Sequence, residues 1–241
     1  MKIESPVNIL VRRRAALGDV VMSTAVVREL YKQHNGNCAI TVETEFPLVY
    51  KNNPYIKSLR NWGEVNTADY DVVYNLDDCY EYNPGVHFVG SYFHRVFGDA
   101  HMNMAVELFP DATDQKVVDN ILKDIGGKYI VVHLRNWHWT AKNISMRVWL
   151  DVFTQVFEER ADFKIVCVGG ETDHYIDHPL FVDARAKFNS QQISVLCTNA
   201  RAFVGVDSGP YWCAAATMTP IVALLTHLRP EVILPIRYVI N

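Results

Sequence analysis

The sequence predicts an α/β protein built from two Rossmann-like, doubly wound units facing each other across a cleft. Three observations carry that expectation. Short runs of aliphatic and β-branched residues alternate with helical patterns along the chain, which marks parallel strands with covering helices. The alternation lapses in a loop-rich stretch from Tyr80 to Met104 and then restarts. Two strand-to-helix turns, Gly18-Asp19 and Asp207-Ser208-Gly209, carry residues suited to starting a helix beyond the carboxyl end of a strand.

The elements follow in order. Asn8 to Val11 reads as a buried strand, and Asp19 to Gln33 as a helix with apolar Val20, Val21, Ala25, Val26, Val27 and Leu30. Ala39 to Val42 is a second strand, and Tyr70 to Leu76 a third. After the restart, Tyr129 to Leu134 is a strand, Ser145 to Glu159 a helix, and Lys164 to Val168 a strand ending at Gly169-Gly170. Gln191 to Asn199 is a helix, Ala202 to Val206 a strand, Gly209 to Thr217 a helix, and Ile221 to Leu225 a strand. The restart places a boundary between Val106 and Gly127, giving one domain over 1–115 and a second over 116–241. Charge divides along the same line, net −5 in the first part and +1 in the second, so the second is the better host for an anionic ligand.

Composition sets the outer limits. With 241 residues, 49% of them hydrophobic, the chain can bury a core without a disulfide or metal staple. A net charge of −4 argues against a general nucleic-acid or membrane-surface binder. The five cysteines form an odd set without a Cys-x-x-Cys pair, which points to a reducing compartment. Apolar runs fall short of the roughly 18–20 residues that span a bilayer. Positive charge at Arg12–Arg14 follows the first apolar run instead of preceding it, so a secretory signal is not expected. The expected address is the cytoplasm.

Several familiar motifs do not apply. The first strand lacks a G-x-G-x-x-G turn, Gly126-Gly127-Lys128 lacks the rest of a P-loop, and no Gly-x-Ser-x-Gly elbow occurs. His174 and His178 have helical metal-ligand spacing, but Pro179 disfavours helix at His178 and a third ligand is not apparent. Asp77, Asp78 and Glu81 read as a solvated acidic loop, not an Asp-x-Asp metal site. No metal is expected.

Two segments stand apart. Ile9 to Ala25 (Ile-Leu-Val-Arg-Arg-Arg-Ala-Ala-Leu-Gly-Asp-Val-Val-Met-Ser-Thr-Ala) is a strand, a tight turn and a helix. Phe203 to Ala216 (Phe-Val-Gly-Val-Asp-Ser-Gly-Pro-Tyr-Trp-Cys-Ala-Ala-Ala) is followed by a Thr219-Pro220 strand start. Together they resemble glycosyltransferase family 9, the group of ADP-heptose:lipopolysaccharide heptosyltransferases. Asn53-Pro-Tyr-Ile56, Tyr70-Asp-Val-Val73 and Lys142 with the helix around Trp149 are similar to further landmarks of that family, in the same order. Departures are Tyr211-Trp212 after the Asp-Ser-Gly-Pro segment and Asn143-Ile144-Ser145 after the lysine. The chain also stops soon after Pro235, as a compact version would.

The resemblance implies a GT-B-type, metal-independent, inverting glycosyltransferase. It takes no cofactor, only a nucleotide diphosphate-sugar as co-substrate, and a glycan or lipopolysaccharide-type acceptor. A carboxylate at the start of a helix is favoured by the helix dipole whether it acts or merely caps; the resemblance makes Asp19 the catalytic base. It makes Lys142, Asp207, Ser208 and Gly209 the donor site, where free N–H groups and an ammonium suit a diphosphate. Arg13, Gly18 and Arg135 are candidate acceptor or phosphate contacts. The segment His133 to Trp139 is aromatic and basic enough to stack a base, although core packing of its tryptophans accounts for it as well. Two rival readings stand beside this one. A phage-type enzyme would glycosylate hydroxymethylated DNA bases, with Arg12–Arg14 as its basic face. A non-catalytic module would bind nucleotide-sugars without turnover.

Overall fold

The computed structural model describes residues 5–83, 85–98, 102–137, 139–159 and 162–237. Met1 to Glu4, at the head of the predicted N-terminal segment, and His138 of the aromatic loop lie outside them. The chain folds as two units. One comprises Met1–Phe109 with Glu231–Asn241, and the other comprises Pro110–Pro230.

In the first unit, β1 (Val7–Arg12), β2 (Cys38–Thr44), β3 (Ser58–Asn61) and β4 (Val72–Asn75) form a parallel sheet in the order β3-β2-β1-β4. Ile9 pairs with Ile40 on one side and Val72 on the other. The helix α1 (Leu17–Gln33) follows β1, and its apolar residues from Val20 to Leu30 are wholly buried. Burying side chains of this size is worth roughly 1.5–3 kcal/mol each. Arg28 is buried in the same helix because it has work there. It donates to the carbonyls of Asn103 and Ala105 and pairs with Glu29 at 2.7 Å, tying the 103–107 segment to the core.

Two elements here differ from expectation. The stretch read as loop contains α2 (Phe88–Phe97), begun by His87 and ended at Gly98 with φ +69°. A positive φ is cheap only for glycine, so that residue stops the helix. The edge strand β3 escaped notice because its Arg60-Asn61 end is polar and exposed. From the far end of the chain, the Leu234 carbonyl meets His87 Nε2 at 2.9 Å.

The second unit opens with α3 (Ala112–Ile125), another element the sequence pattern did not reveal. Asp111 caps it by accepting from the Thr113 and Asp114 N–H groups, and Asp114 accepts from Asp111 N–H in return. Gln192 reaches Asp114 at 3.4 Å, which joins α3 to this unit. Then come β5 (Lys128–His133), α4 (Met146–Glu159), β6 (Phe163–Val168), β7 (Phe181–Asp183), α5 (Ser190–Thr198), β8 (Phe203–Gly205), α6 (Gly209–Ala215) and β9 (Ile221–Ala223); the short α7 (Pro230–Ile233) starts at the last residue of this unit and returns the chain to the first. The sheet is parallel, in the order β7-β6-β5-β8-β9. Trp149 and Phe153 of α4 pack on Val132, Ile165 and Phe181, with the Phe153 and Phe181 rings edge-to-face at 5.1 Å.

Each sheet reverses its winding once. The chain steps outward from β1 through β2 to β3 and returns to the other side of β1 with β4; likewise it steps from β5 to β6 and β7 and returns with β8. The helices on either side of such a reversal diverge, and the carboxyl ends of the two central strands open a crevice that suits a ligand.

Candidate functional site

At the reversal of the first sheet, the end of β1 brings Arg13 beside the Leu76 carbonyl that follows β4, and the two bond at 2.9 Å. The guanidinium is almost fully buried. It lies 2.9 Å from Asp19 Oδ1, 3.7 Å from Asp77 and 3.6 Å from Glu81, with the Tyr80 and Tyr92 rings 5.6 and 5.5 Å from its carbon. Burial disfavours the cation, but Tyr92, Asp19, Tyr80 and Glu81 outweigh that and hold its pKa above the ordinary arginine value.

Asp19 sits in the third position of α1. It is not the cap itself: Ala16 is, and the Asp19 carboxylate accepts the Ala16 N–H at 2.8 Å through Oδ2. Oδ1 accepts from the Tyr80 hydroxyl at 2.7 Å and from Tyr92 at 3.4 Å. Burial, reinforced by Asp19, pushes both tyrosines above their usual pKa, so both keep their protons. A carboxylate offers about four acceptor positions. Arg13 and the tyrosines crowd Oδ1, whereas among the described residues Oδ2 accepts the Ala16 N–H alone. Gly18, one residue earlier, is buried in the first turn of the helix.

The acidic loop is therefore not simply solvated. Asp77 accepts from Arg14 N–H at 2.9 Å and, with Glu81, faces Arg13. The same loop and α2 enclose a cavity of about 330 Å³ lined by Asp77, Asp78, Tyr82, Ser91, His94 and Arg95. The Ser91 hydroxyl is buried there without a hydrogen-bond partner.

At the reversal of the second sheet, β5 ends at His133 and the turn after β8 brings Ser208 to it. Nδ1 of His133 lies 2.9 Å from Ser208 Oγ, and Nε2 lies 2.9 Å from Asp173 Oδ2. Asp173 also accepts from the N–H groups of Asn136 and Gly170, each at 2.7 Å. Burial would raise its pKa, but the hydrogen bonds from His133 and the two backbone N–H groups overcome it and hold the carboxyl below the usual range. Ser208 caps α6 by accepting from Tyr211 N–H at 3.4 Å, and Gly209 is the first residue of that helix.

Beside this group, Lys142 forms an ion pair with Asp207, whose other oxygen accepts from the Trp212 indole N–H at 3.0 Å. The ammonium lies 4.6 Å from the centre of the Trp139 ring. Burial draws the Arg135 pKa down against the pull of Asp173 and Asp207, and its Nε is buried without a partner. Trp137 and Trp139 are each about half exposed, 50% and 52%, so neither is a core residue; the core tryptophans are Trp149 and Trp212.

The sequence-derived candidates thus gather in two groups: Arg13, Gly18 and Asp19 in the first unit, and Arg135, Lys142, Asp207, Ser208 and Gly209 in the second. Sequence reasoning missed the tyrosines 80 and 92 and the pair His133–Asp173, which no motif marks. His178, considered as a ligand, stacks on Phe157 at 4.0 Å instead. Among the described residues, no group of three or more His, Cys, Asp or Glu side chains could hold a metal ion.

No family model matches the sequence, and no curated protein matches it. Solved structures do. A family 9 glycosyl transferase from Veillonella parvula superimposes with a TM-score of 0.74 at 16% identity, over 96% of this chain and 85% of that one. ADP-heptose LPS heptosyltransferase II of E. coli gives 0.75 at 17% identity, over 96% and 88%. The dodecameric iron-containing heptosyltransferase TibC, solved with ADP-D-β-D-heptose, gives 0.69 at 17% identity, over 96% of this chain and 62% of that one. The chain has the α/β fold of these proteins.

Proposed function

We propose that this protein is an inverting glycosyltransferase that moves a sugar from a nucleotide diphosphate-sugar to an acceptor hydroxyl. The observation that carries the reading is the Asp19 carboxylate, oriented by Arg13, Tyr80 and the Ala16 N–H at the strand reversal of the first sheet. An alcohol is a poor nucleophile until its proton is taken, and a positioned carboxylate supplies typically 10²–10⁴-fold by taking it. In the proposed reaction the acceptor proton passes to Asp19 Oδ2 while the acceptor oxygen bonds to the anomeric carbon. The bond from that carbon to the diphosphate breaks on the opposite face. Arg13 and Gly18 shape the acceptor side of this site.

A leaving diphosphate collects negative charge, and the second unit, taken by itself, holds groups suited to it. Lys142 and Arg135 carry positive charge, and Ser208 with the Gly209 N–H offers neutral donors. Asp207 serves this site by holding Lys142 in place. No cofactor enters the scheme, and turnover is expected to survive EDTA; loss of activity restored by magnesium or manganese would remove Lys142 and Arg135 from the role of charge neutralisers. Likeness to a lipopolysaccharide heptosyltransferase supports a lipopolysaccharide-type glycan as acceptor. Among the described residues, no helix is long and apolar enough to cross a membrane.

The DNA reading finds no support. Arg12, Arg13 and Arg14, its basic face, are each ion-paired, with Glu43 at 2.5 Å, Asp19 at 2.9 Å and Glu45 at 2.8 Å. The deciding experiment incubates the protein with ADP-, UDP- and GDP-sugars and lipopolysaccharide core acceptors and measures nucleoside diphosphate release. Acceptor-dependent release is the expected result. Tight donor binding without any release would favour the non-catalytic module.

A further inference from the structure

The chain has made room for His133 and Asp173 at the end of β5. Gly169, at φ +136°, sits so close that a Cβ there would lie 2.4 Å from Asp173 Oδ2 and 2.8 Å from the His133 ring. Three segments far apart in sequence, the end of β5, the turn after β6 and the turn after β8, converge on one buried Asp173–His133–Ser208 chain of hydrogen bonds.

Proton counting along that chain has a consequence for Ser208. Asp173 is an acceptor, since two backbone N–H groups already point at it, so His133 Nε2 must donate. If the imidazole is neutral, Nδ1 is then an acceptor, and the Ser208 hydroxyl spends its only proton on it. If the imidazole carries a second proton, Nδ1–H donates to Ser208 Oγ, and the Ser208 O–H is free to point at another acceptor.

We infer that His133, anchored by Asp173, is a positioning residue that turns the Ser208 hydroxyl toward the donor's diphosphate, and that binding of the diphosphate therefore draws one proton from solvent onto His133. The inference rests on the proposed donor site at Ser208. The charged groups that face the imidazole are Asp173 itself, the Lys142–Asp207 pair beside Ser208, and Arg135, within electrostatic reach of Asp173 and Asp207. Arg185 stands behind Asp173, donating to its carbonyl at 2.5 Å. Lys142 and Asp207 cancel one another. An arriving diphosphate adds negative charge on the Ser208 side, which favours the second proton on the ring.

The test is calorimetry of ADP-glucose and UDP-glucose binding in buffers of different ionisation heat, from pH 5.5 to 9, alongside NMR titration of the His133 ring in the free protein. These probes have no phosphate ionisation near neutrality, so any proton taken up belongs to the protein. Uptake should rise from none to about one proton as the pH passes upward through the free-protein ionisation of His133, with affinity falling between about ten- and a hundredfold. Ser208→Ala should cut the uptake and the pH dependence well below those of the wild type, Ser208→Thr should restore both, and His133→Asn should bind weakly at every pH. Binding without uptake in the wild type, or uptake as large in Ser208→Ala as in the wild type, overturns the inference and leaves the donor site standing. Failure of both sugars to bind removes the donor site, and this inference with it.

Discussion

The two strand-to-helix turns look alike in sequence and differ in what surrounds them. After β1, the helix start contains the acid itself: Asp19 caps the backbone of Ala16 and faces a buried arginine, with two tyrosines holding the same oxygen. After β8, the helix start contains a hydroxyl, and the acid stands two groups behind it, in Asp173 acting through His133. The first arrangement surrounds a carboxylate with donors. The second links a hydroxyl to a buried carboxylate through an imidazole. A helix start defines a place where negative charge is welcome; the side chains delivered from elsewhere decide what that charge meets.

The sharpest way to break this contrast is at Asp19. Asn at that position keeps one oxygen, for Tyr80 and Arg13, sets an NH2 in place of the oxygen that meets Ala16 N–H, and cannot take a proton. Asp19→Asn should transfer sugar about 10²–10⁴-fold more slowly, with donor affinity unchanged by calorimetry. Turnover near that of the wild type would reduce Asp19 to a cap and ion-pair partner.

The next effect is on stability. Arg13 is buried and its removal strands Asp19 and the Leu76 carbonyl, so Arg13→Met should cost about 3–5 kcal/mol in urea unfolding. A loss below 1 kcal/mol would mean that Asp19 is as well served by Tyr80 and water.

On the donor side the expected change is smaller, because Lys142 is already paired. Lys142→Ala removes a charge-assisted contact to the diphosphate but also leaves Asp207 without its cation, near the phosphate. Donor affinity should fall by roughly tenfold or more. Asp207→Asn in the same background should recover part of the loss; no change in either variant would take the pair out of the site.

Acid stability gives the finest distinction. The Asp173 pKa is lowered in the folded state from an ordinary value of 3.8, despite burial, by His133 and two backbone N–H groups. A depressed pKa contributes stability that is present above 3.8 and is lost as pH falls through that value toward the folded one. Wild-type stability should therefore fall more steeply below about pH 4 than that of Asp173→Asn. Parallel curves would show that Asp173 ionises alike in the folded and unfolded chain.

The sequence by itself determined the strand-and-helix alternation, the parallel sheets, and the two turns that open them at Gly18-Asp19 and Asp207-Ser208-Gly209. These are legible because apolar periodicity and helix-start chemistry operate over a few neighbouring residues. β3 and α2 were hidden, one by its polar exposed end and the other by an aromatic segment that reads as loop. The tertiary structure alone decided the rest. Tyr80 meets Asp19 across 61 positions, Asp173 meets His133 across 40, and Ser208 meets His133 across 75. Nothing local in Asp77 to Glu81 announces that this acidic loop turns inward to a buried arginine. Such contacts follow from strand order, which places the ends of β1 and β4, and of β5 and β8, side by side. Strand order is fixed by packing of whole helices on whole sheets, so no short window of sequence contains it.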